Sequence, residues 1–194
     1  MGELAGKIPL FEQQLLTESE VDERIELMAL DLRARYKDER PLFVCLLKGG
    51  APFAMKLMSA ITRQDPEFHP ELDYMIVKTY GKEREASEPR IITDLSPETI
   101  VRGRRAAILD DVSDTNKTLA ATERHLIDFH GATVVDVIMF ADKPEGKEVE
   151  RTPDIVGVRA PRRWLTGMGL DDVRIAPEAN RWAGYLAISQ DPEE

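Results

Sequence analysis

With one cysteine among 194 residues, this chain cannot form a disulfide within itself. Cys45 sits inside the apolar run PLFVCLL, where a small buried hydrophobe is the expected role, and a reducing, cytoplasmic compartment fits that usage. No apolar run approaches the roughly 20 residues that cross a bilayer, so a membrane protein is not expected. The opening MGELAGKIPLFEQQLL has no cationic stretch leading into a long apolar one, so no signal peptide is expected there. Positive charge is scarce: 26 Lys and Arg stand against 36 Asp and Glu, a net charge of −10. That balance argues against non-specific binding to nucleic acid or anionic lipid. Any phosphate site must then come from backbone amides, a metal or a few placed cations. Internal repeats and low-complexity segments are absent, and so are the strings G-x-x-x-x-G-K-[ST] and G-x-G-x-x-G that mark two common nucleotide sites.

What is present suits one soluble domain, with 42% hydrophobic and 32% charged residues. A helix is expected from about Glu18 to Lys37, because Thr17 and Glu20 form a capping box and Val21, Ile25, Met28, Leu32 and Tyr36 make an apolar stripe. PLFVCLL reads as a buried strand, KGG as a tight loop and APFAMKLMSAI as a helix packed back on the sheet. ELDYMIVKTY and RIITDL read as strands around the polar loop GKEREASEPR. RRAAILDD is a strand, a helix follows from about Lys117 to Phe129 until Gly131 stops it, and ATVVDVIMFA is another strand. The alternation predicts an α/β fold, an open and mostly parallel sheet flanked by helices. From Pro144 onward the chain turns to prolines, scattered aromatics and short strand-like pieces, which predicts a small C-terminal hood. The expected organisation is a single domain over 1–194, with a core of about 18–143 and a hood of about 144–194 joined by the N-terminal segment.

The stretch AAILDDVSDTNKTLAATERHL places two adjacent carboxylates and a hydroxyl-rich turn where a strand gives way to a helix. In parallel α/β sheets ligands bind outside the carboxyl ends of the strands. DTNKT offers consecutive amides and a helix N-terminus for an anion. Asp110 and Asp111 suit sugar hydroxyls or a hard cation. Together these match a ribose phosphate; the plainer reading is a capped helix after an acidic turn. A receiver signalling domain also has paired acids and a late Lys-Pro, but here only one helix and one strand separate Asp111 from Lys143, too few for that fold.

The stretch resembles the binding motif for 5-phosphoribosyl-1-pyrophosphate (PRPP) in type I phosphoribosyltransferases, most closely the 6-oxopurine, or hypoxanthine-guanine, branch. The family pattern is a hydrophobic strand, two acids, two residues and Asp-Thr-Gly-Lys-Thr. Four further segments agree in order: LLKGG at Leu46–Gly50, VKTYG at Val77–Gly81, RIITDLSPETIVRGRRAAILDD, and ADKPEGKEVERTPDIVGVRAPRRWLTGMGLD. The likeness covers roughly Leu42 to Ile188.

The resemblance implies transfer of a phosphoribosyl group from PRPP to a 6-oxopurine, with Mg²⁺ as cofactor and a homodimer or homotetramer as the assembly. It implies that Asp114 acts as base or acid at purine N7 and that Thr115, Asn116, Lys117 and Thr118 hold the 5′-phosphate. Asp110 and Asp111 would hold the ribose hydroxyls and help orient metal, and Asp171 would complete a second metal position. Lys48 and Gly49 would bind pyrophosphate, after a peptide bond that can be cis in the family, and Thr79 and Tyr80 would lie in the mobile loop. Lys143 would meet the 6-oxo group, Trp164 would stack on the base and Leu165 would present its backbone to the base edge. An arginine for pyrophosphate is implied as well, with Arg181 preferred and Arg174 competing. Departures are Asp-Asp where the family usually has Glu-Asp, and Asn116 where it has Gly. They leave a second reading, a PRPP- or nucleotide-sensing regulator on the same fold.

Overall fold

The computed structural model describes residues 11–37, 39–79, 88–113, 116–143 and 149–190, with the backbone alone for Thr79 and Ser113. Its elements run β1 (Gln13–Leu16), α1 (Glu18–Arg35), β2 (Leu42–Leu46), α2 (Gly50–Gln64), β3 (Glu71–Thr79) and β4 (Pro89–Thr93). They continue with β5 (Arg105–Ser113), α3 (Lys117–Asp128), β6 (Val134–Asp142), β7 (Ile155–Arg159), β8 (Leu165–Thr166) and β9 (Leu186–Ile188).

Local chemistry sets the helix ends. The Thr17 side chain accepts from the Glu20 amide, and the Glu20 carboxylate accepts from the Thr17 amide at 2.8 Å, which closes the predicted capping box of α1. Val21, Ile25, Met28 and Leu32 are buried along one stripe. Past α3, Gly131 takes φ +77°, a left-handed turn that any side chain would disfavour.

Six strands form the main sheet in the order β4-β3-β2-β5-β6-β7, all parallel except the edge strand β4. All five residues of β2 are buried, as a strand covered on both faces requires. Phe43 and Cys45 belong to the core beneath α1 and α2, while Leu42, Val44 and Leu46 belong to the core beneath α3. The chain crosses from β2 through α2 outward to β3, and from β5 through α3 outward in the opposite direction to β6. Right-handed crossovers in opposite directions put α2 and α3 on opposite faces. Between β2 and β5 the winding reverses, and the crevice at their carboxyl ends is where such sheets bind ligands.

The hood is a three-stranded antiparallel sheet in the order β1-β9-β8, so the segment before α1 is part of it. The change of composition at Pro144 is not where the sheets divide. β7 lies beyond it yet pairs in parallel with β6, from Ile138↔Ile155 to Asp142↔Arg159. Its edge position leaves it half-buried, which weakens the apolar signal by which a sheet strand is recognised. Among the described residues, no helix is long and apolar enough to cross a membrane.

Candidate active site

Lys48, Gly49 and Gly50 leave the end of β2 and pass directly against the end of β5. The Leu47–Lys48 peptide is cis. A Cβ on Gly49 would lie 2.2 Å from Asp111 Oδ2, and one on Gly50 would lie 2.8 Å from the Leu109 carbonyl oxygen. A side chain at Gly49 would have to displace the Asp111 carboxylate, and one at Gly50 would run into the β5 backbone. Gly169 of the hood, at φ +101°, approaches from the other side, with its missing Cβ 1.9 Å from the Gly49 carbonyl oxygen. Three segments distant in sequence thus meet at the mouth of the crevice, and glycines permit the contact.

Asp110 and Asp111 are half-buried at this junction. Burial, and then the neighbouring Asp111 charge, raise the Asp110 carboxyl well above the usual carboxylate range. Burial pushes Asp111 up to about 6 as well, against the Val112 amide and the Arg181 guanidinium, which favour its charged form. Arg181 is fixed among acceptors: Nη2 lies 2.7 Å from Asp171 Oδ2, Nε lies 2.7 Å from Glu178 Oε2, and Nη1 donates to the Gly169 carbonyl at 2.5 Å. Lys48 Nζ reaches the other oxygen of Glu178 at 2.7 Å. Arg181 is therefore the arginine beside the Lys48 loop. Arg174 goes elsewhere, pairing with Asp172 at 3.0 Å and lying over the Trp164 ring at 5.0 Å from its centroid.

On the other flank, Asn116 caps α3 with φ 60° and ψ 14°, a left-handed conformation that Asn tolerates better than most residues. Its side chain is buried and donates to the Arg151 carbonyl at 2.6 Å. Arg151 in turn reaches Glu123 of α3 at 2.9 Å and Asp154 at 2.6 Å. The residue that departs from the glycine pattern thus keeps the glycine-like backbone and ties the start of α3 to the connection before β7. Lys117 and Thr118 follow in the first turn of the helix, both half-buried. Asp114, Thr115 and Tyr80 lie outside the described residues, and Thr79 ends β3.

Lys143 follows the last residue of β6, half-buried. Trp164 is 47% exposed, enough to leave ring surface for a ligand, and its carbonyl accepts from the Ser189 amide at 2.9 Å. Leu165 is buried at the start of β8. Glu178 was not foreseen in the sequence. It sits in a turn with φ 64°, and nothing in PEANR marks it as the carboxylate that joins Arg181 to the distant Lys48.

The same parts occur in the same order in known proteins. A family model described as the phosphoribosyl transferase domain matches residues 13–172. The hypoxanthine-guanine phosphoribosyltransferase of Lactococcus lactis is 34% identical over 161 residues, 82% of this chain and 83% of that one. The enzyme of that name from Bacillus subtilis is 32% identical over 161 residues, 82% of this chain and 85% of that one. The chain belongs to the phosphoribosyltransferase family, in its hypoxanthine-guanine branch. A hypoxanthine phosphoribosyltransferase structure from Staphylococcus aureus shares the fold, with a TM-score of 0.83, 24% identity and coverage of 98% of each chain.

The donor set at the junction fits a hard cation such as Mg²⁺. Asp110, Asp111 and Asp171 offer only oxygen. Burial is the main cause of the raised proton affinity of Asp110 and Asp111, and a bound cation would favour their charged forms. The three carboxylates do not gather around one point. Among the described residues, the trio of possible ligands whose donor atoms lie within 4.8 Å of one another is a different one, Asp94, His125 and His130.

Proposed function

We propose that this protein is a purine salvage enzyme that transfers the 5-phosphoribosyl group of PRPP to a 6-oxopurine base and releases pyrophosphate. The observation that carries the reading is the junction of the Lys48–Gly49 loop, the Asp110–Asp111 pair and the hood at Gly169, beside the Asn116 cap of α3. It supports a reading in which an anion site, a diol site and a second anion site share one crevice.

The 5′-phosphate meets the amides and hydroxyls of Thr115, Asn116, Lys117 and Thr118 at the positive end of α3. Asp110 and Asp111 accept hydrogen bonds from the ribose hydroxyls. Their negative charge also lies close to the anomeric carbon as it becomes oxocarbenium-like, which lowers the barrier by electrostatic stabilisation. The leaving pyrophosphate is held by the Lys48–Gly49 loop and by Arg181, whose present acceptor Glu178 gives way to it. Mg²⁺, held at one position by the Asp110–Asp111 pair and at a second by Asp171, would supply the neutralising charge that an acidic protein lacks. Asp114 takes or returns the proton at purine N7. Lys143 donates to the 6-oxo group, which a 6-amino group could not accept. Trp164 stacks on the ring once Arg174 yields its place, and Leu165 offers backbone groups to the base edge.

Incubation with PRPP, Mg²⁺ and each purine base, followed by assay of pyrophosphate, tests the reading. Hypoxanthine, guanine or xanthine should support release, and adenine should not. Turnover in Asp114→Asn should fall by roughly two to four orders of magnitude, the span of a general acid–base group, with PRPP binding little changed. Near-normal turnover would remove Asp114 from the chemistry. The regulatory reading is not favoured, because the relatives above carry the name of the enzyme. A single domain, association into a homodimer or homotetramer through the Lys48 region, and a cytoplasmic location complete the proposal. Light scattering tests the association.

A further inference from the structure

Two of the three histidines in the chain converge on one aspartate, far from the crevice. His125 Nε2 lies 2.9 Å from one carboxylate oxygen of Asp94, and His130 Nε2 lies 2.9 Å from the other. The donor atoms of all three side chains fall within 4.8 Å of one another. We propose that Asp94, His125 and His130 form a transition-metal site, suited to Zn²⁺, that clamps the edge strand β4 to the end of α3.

The ligand type selects the metal. Two imidazoles and a carboxylate match Zn²⁺, and more generally late first-row divalent ions, whereas Mg²⁺ prefers an all-oxygen shell. Three protein ligands leave a fourth position for water. The side chains are 19%, 20% and 34% exposed, so the trio is anchored in the fold yet open to entry of the ion.

The supports are rigid. His125 lies in the last turn of α3, and its carbonyl accepts from the amides of Phe129 and His130 at 3.0 and 3.2 Å. The chain then closes at Gly131, whose amide donates to the Ile127 carbonyl at 3.0 Å. On the facing side, the Leu95 amide donates to Asp94 Oδ1 at 2.8 Å and orients the carboxylate. The rings of His125 and Phe129 stack at 4.9 Å, which fixes the plane of the imidazole.

Electrostatics favours a cation here. The site lies at the carboxyl end of α3, where the helix dipole is negative and the last carbonyls face outward. Hydrogen bonds from Nε2 to Asp94 already hold the trio together, so a metal replaces two protons without a change of frame. His125 follows Lys117 by eight residues of helix, so the site stands roughly 12 Å or more from the helix start that faces the crevice. An ion bound there therefore acts as a staple on the fold and takes no part in phosphoribosyl transfer.

Calorimetric titration of the full chain with Zn²⁺, with a parallel Co²⁺ titration followed by visible absorption, tests the site. The parent should bind one Zn²⁺ that the His125→Gln/His130→Gln double variant and Asp94→Asn lose. Affinity should fall by more than the roughly ten- to hundredfold that removal of an outer-shell partner costs. Strong Co²⁺ d–d bands should appear in the parent alone, and Zn²⁺ should raise its thermal midpoint but not that of the variants. His69→Gln, which alters the remaining histidine, should behave as the parent. Glutamine keeps an amide that can still donate to Asp94, and circular dichroism confirms that each variant is folded. If the parent binds Zn²⁺ no more tightly than the double variant, the ion sits on carboxylates elsewhere or nowhere, and the proposal is overturned. Equal loss in His69→Gln would overturn it as well.

Discussion

Asn116 holds a left-handed backbone, and its buried side chain is put to use in a bond to the Arg151 carbonyl. Glycine would adopt the conformation freely but lose that bond, while alanine would lose the bond and carry the strain. A left-handed non-glycine residue costs about 1–2 kcal/mol, and a typical hydrogen bond contributes about 1 kcal/mol. Asn116→Ala should therefore lower the thermal midpoint by roughly 5–10 °C, with Asn116→Gly clearly less affected. A scanning calorimeter reads the order directly, and an alanine variant as stable as the glycine one would contradict it. At Glu178 the question is competition. Its carboxylate engages Lys48 and Arg181, the two cations assigned to pyrophosphate. Because Lys48 is largely exposed, the pair is well screened and its effect is modest. Glu178→Gln should lower KM for PRPP by no more than about fivefold and leave kcat nearly constant. A rise in KM would mean that Glu178 helps to assemble the site instead of occupying it.

At the scale of elements, the hood meets the core through backbone. Gly169 at φ +101° has no room for a methyl group against the Gly49 carbonyl. Strain of this kind costs roughly 1–3 kcal/mol and falls on the contact between hood and loop, because the helices and main sheet are not involved. Gly169→Ala should thus cut kcat/KM for PRPP by up to roughly a hundredfold, while far-UV circular dichroism stays that of the parent. Unchanged kinetics would show that the hood can move without consequence. The strands and helices themselves were legible in the sequence wherever their pattern was strong. The α1 stripe, the fully apolar β2 and the Gly131 stop appear as expected. β7 is one of the short strand-like pieces expected after Pro144, but its place in the main sheet was hidden, because an edge strand, half-buried, shows neither a continuous apolar run nor a clean alternation.

Across the molecule, one buried ionic cluster ties layers together. Asp136 at the start of β6 accepts from Arg35 and Tyr36 at the end of α1, and from Arg105 at the start of β5 at 2.9 Å. Burial alone would raise its carboxyl, but the hydrogen bonds from Arg35, Arg105 and Tyr36 outweigh it and hold it down at about 2. An unfolded aspartate titrates near 3.9, so the folded state is favoured above that pH, and the advantage drains away as pH falls through 4 toward 2. The contribution is roughly 2 kcal/mol. Urea melts of the parent should show stability falling across that window, and Asp136→Asn, though less stable at neutral pH, should show a shallower fall. Equal slopes would remove Asp136 as the titrating group.

Sequence by itself determined the chemistry and the frame. Spacing of apolar residues follows from helix and strand periodicity, which is local, and the acid pair before DTNKT lies within one short segment of chain. Cys45 inside a buried strand, and the capping box at Thr17 and Glu20, were equally local. Only the tertiary structure decided how distant pieces meet. It brought Gly169 onto Gly49, chose Arg181 over Arg174 beside Lys48, gave Glu178 two cations and joined Asp94 to His125 and His130. Those contacts depend on irregular turns, where backbone conformation follows no periodic pattern. They also depend on close approaches of a few ångströms between segments far apart in sequence, for which no local rule exists.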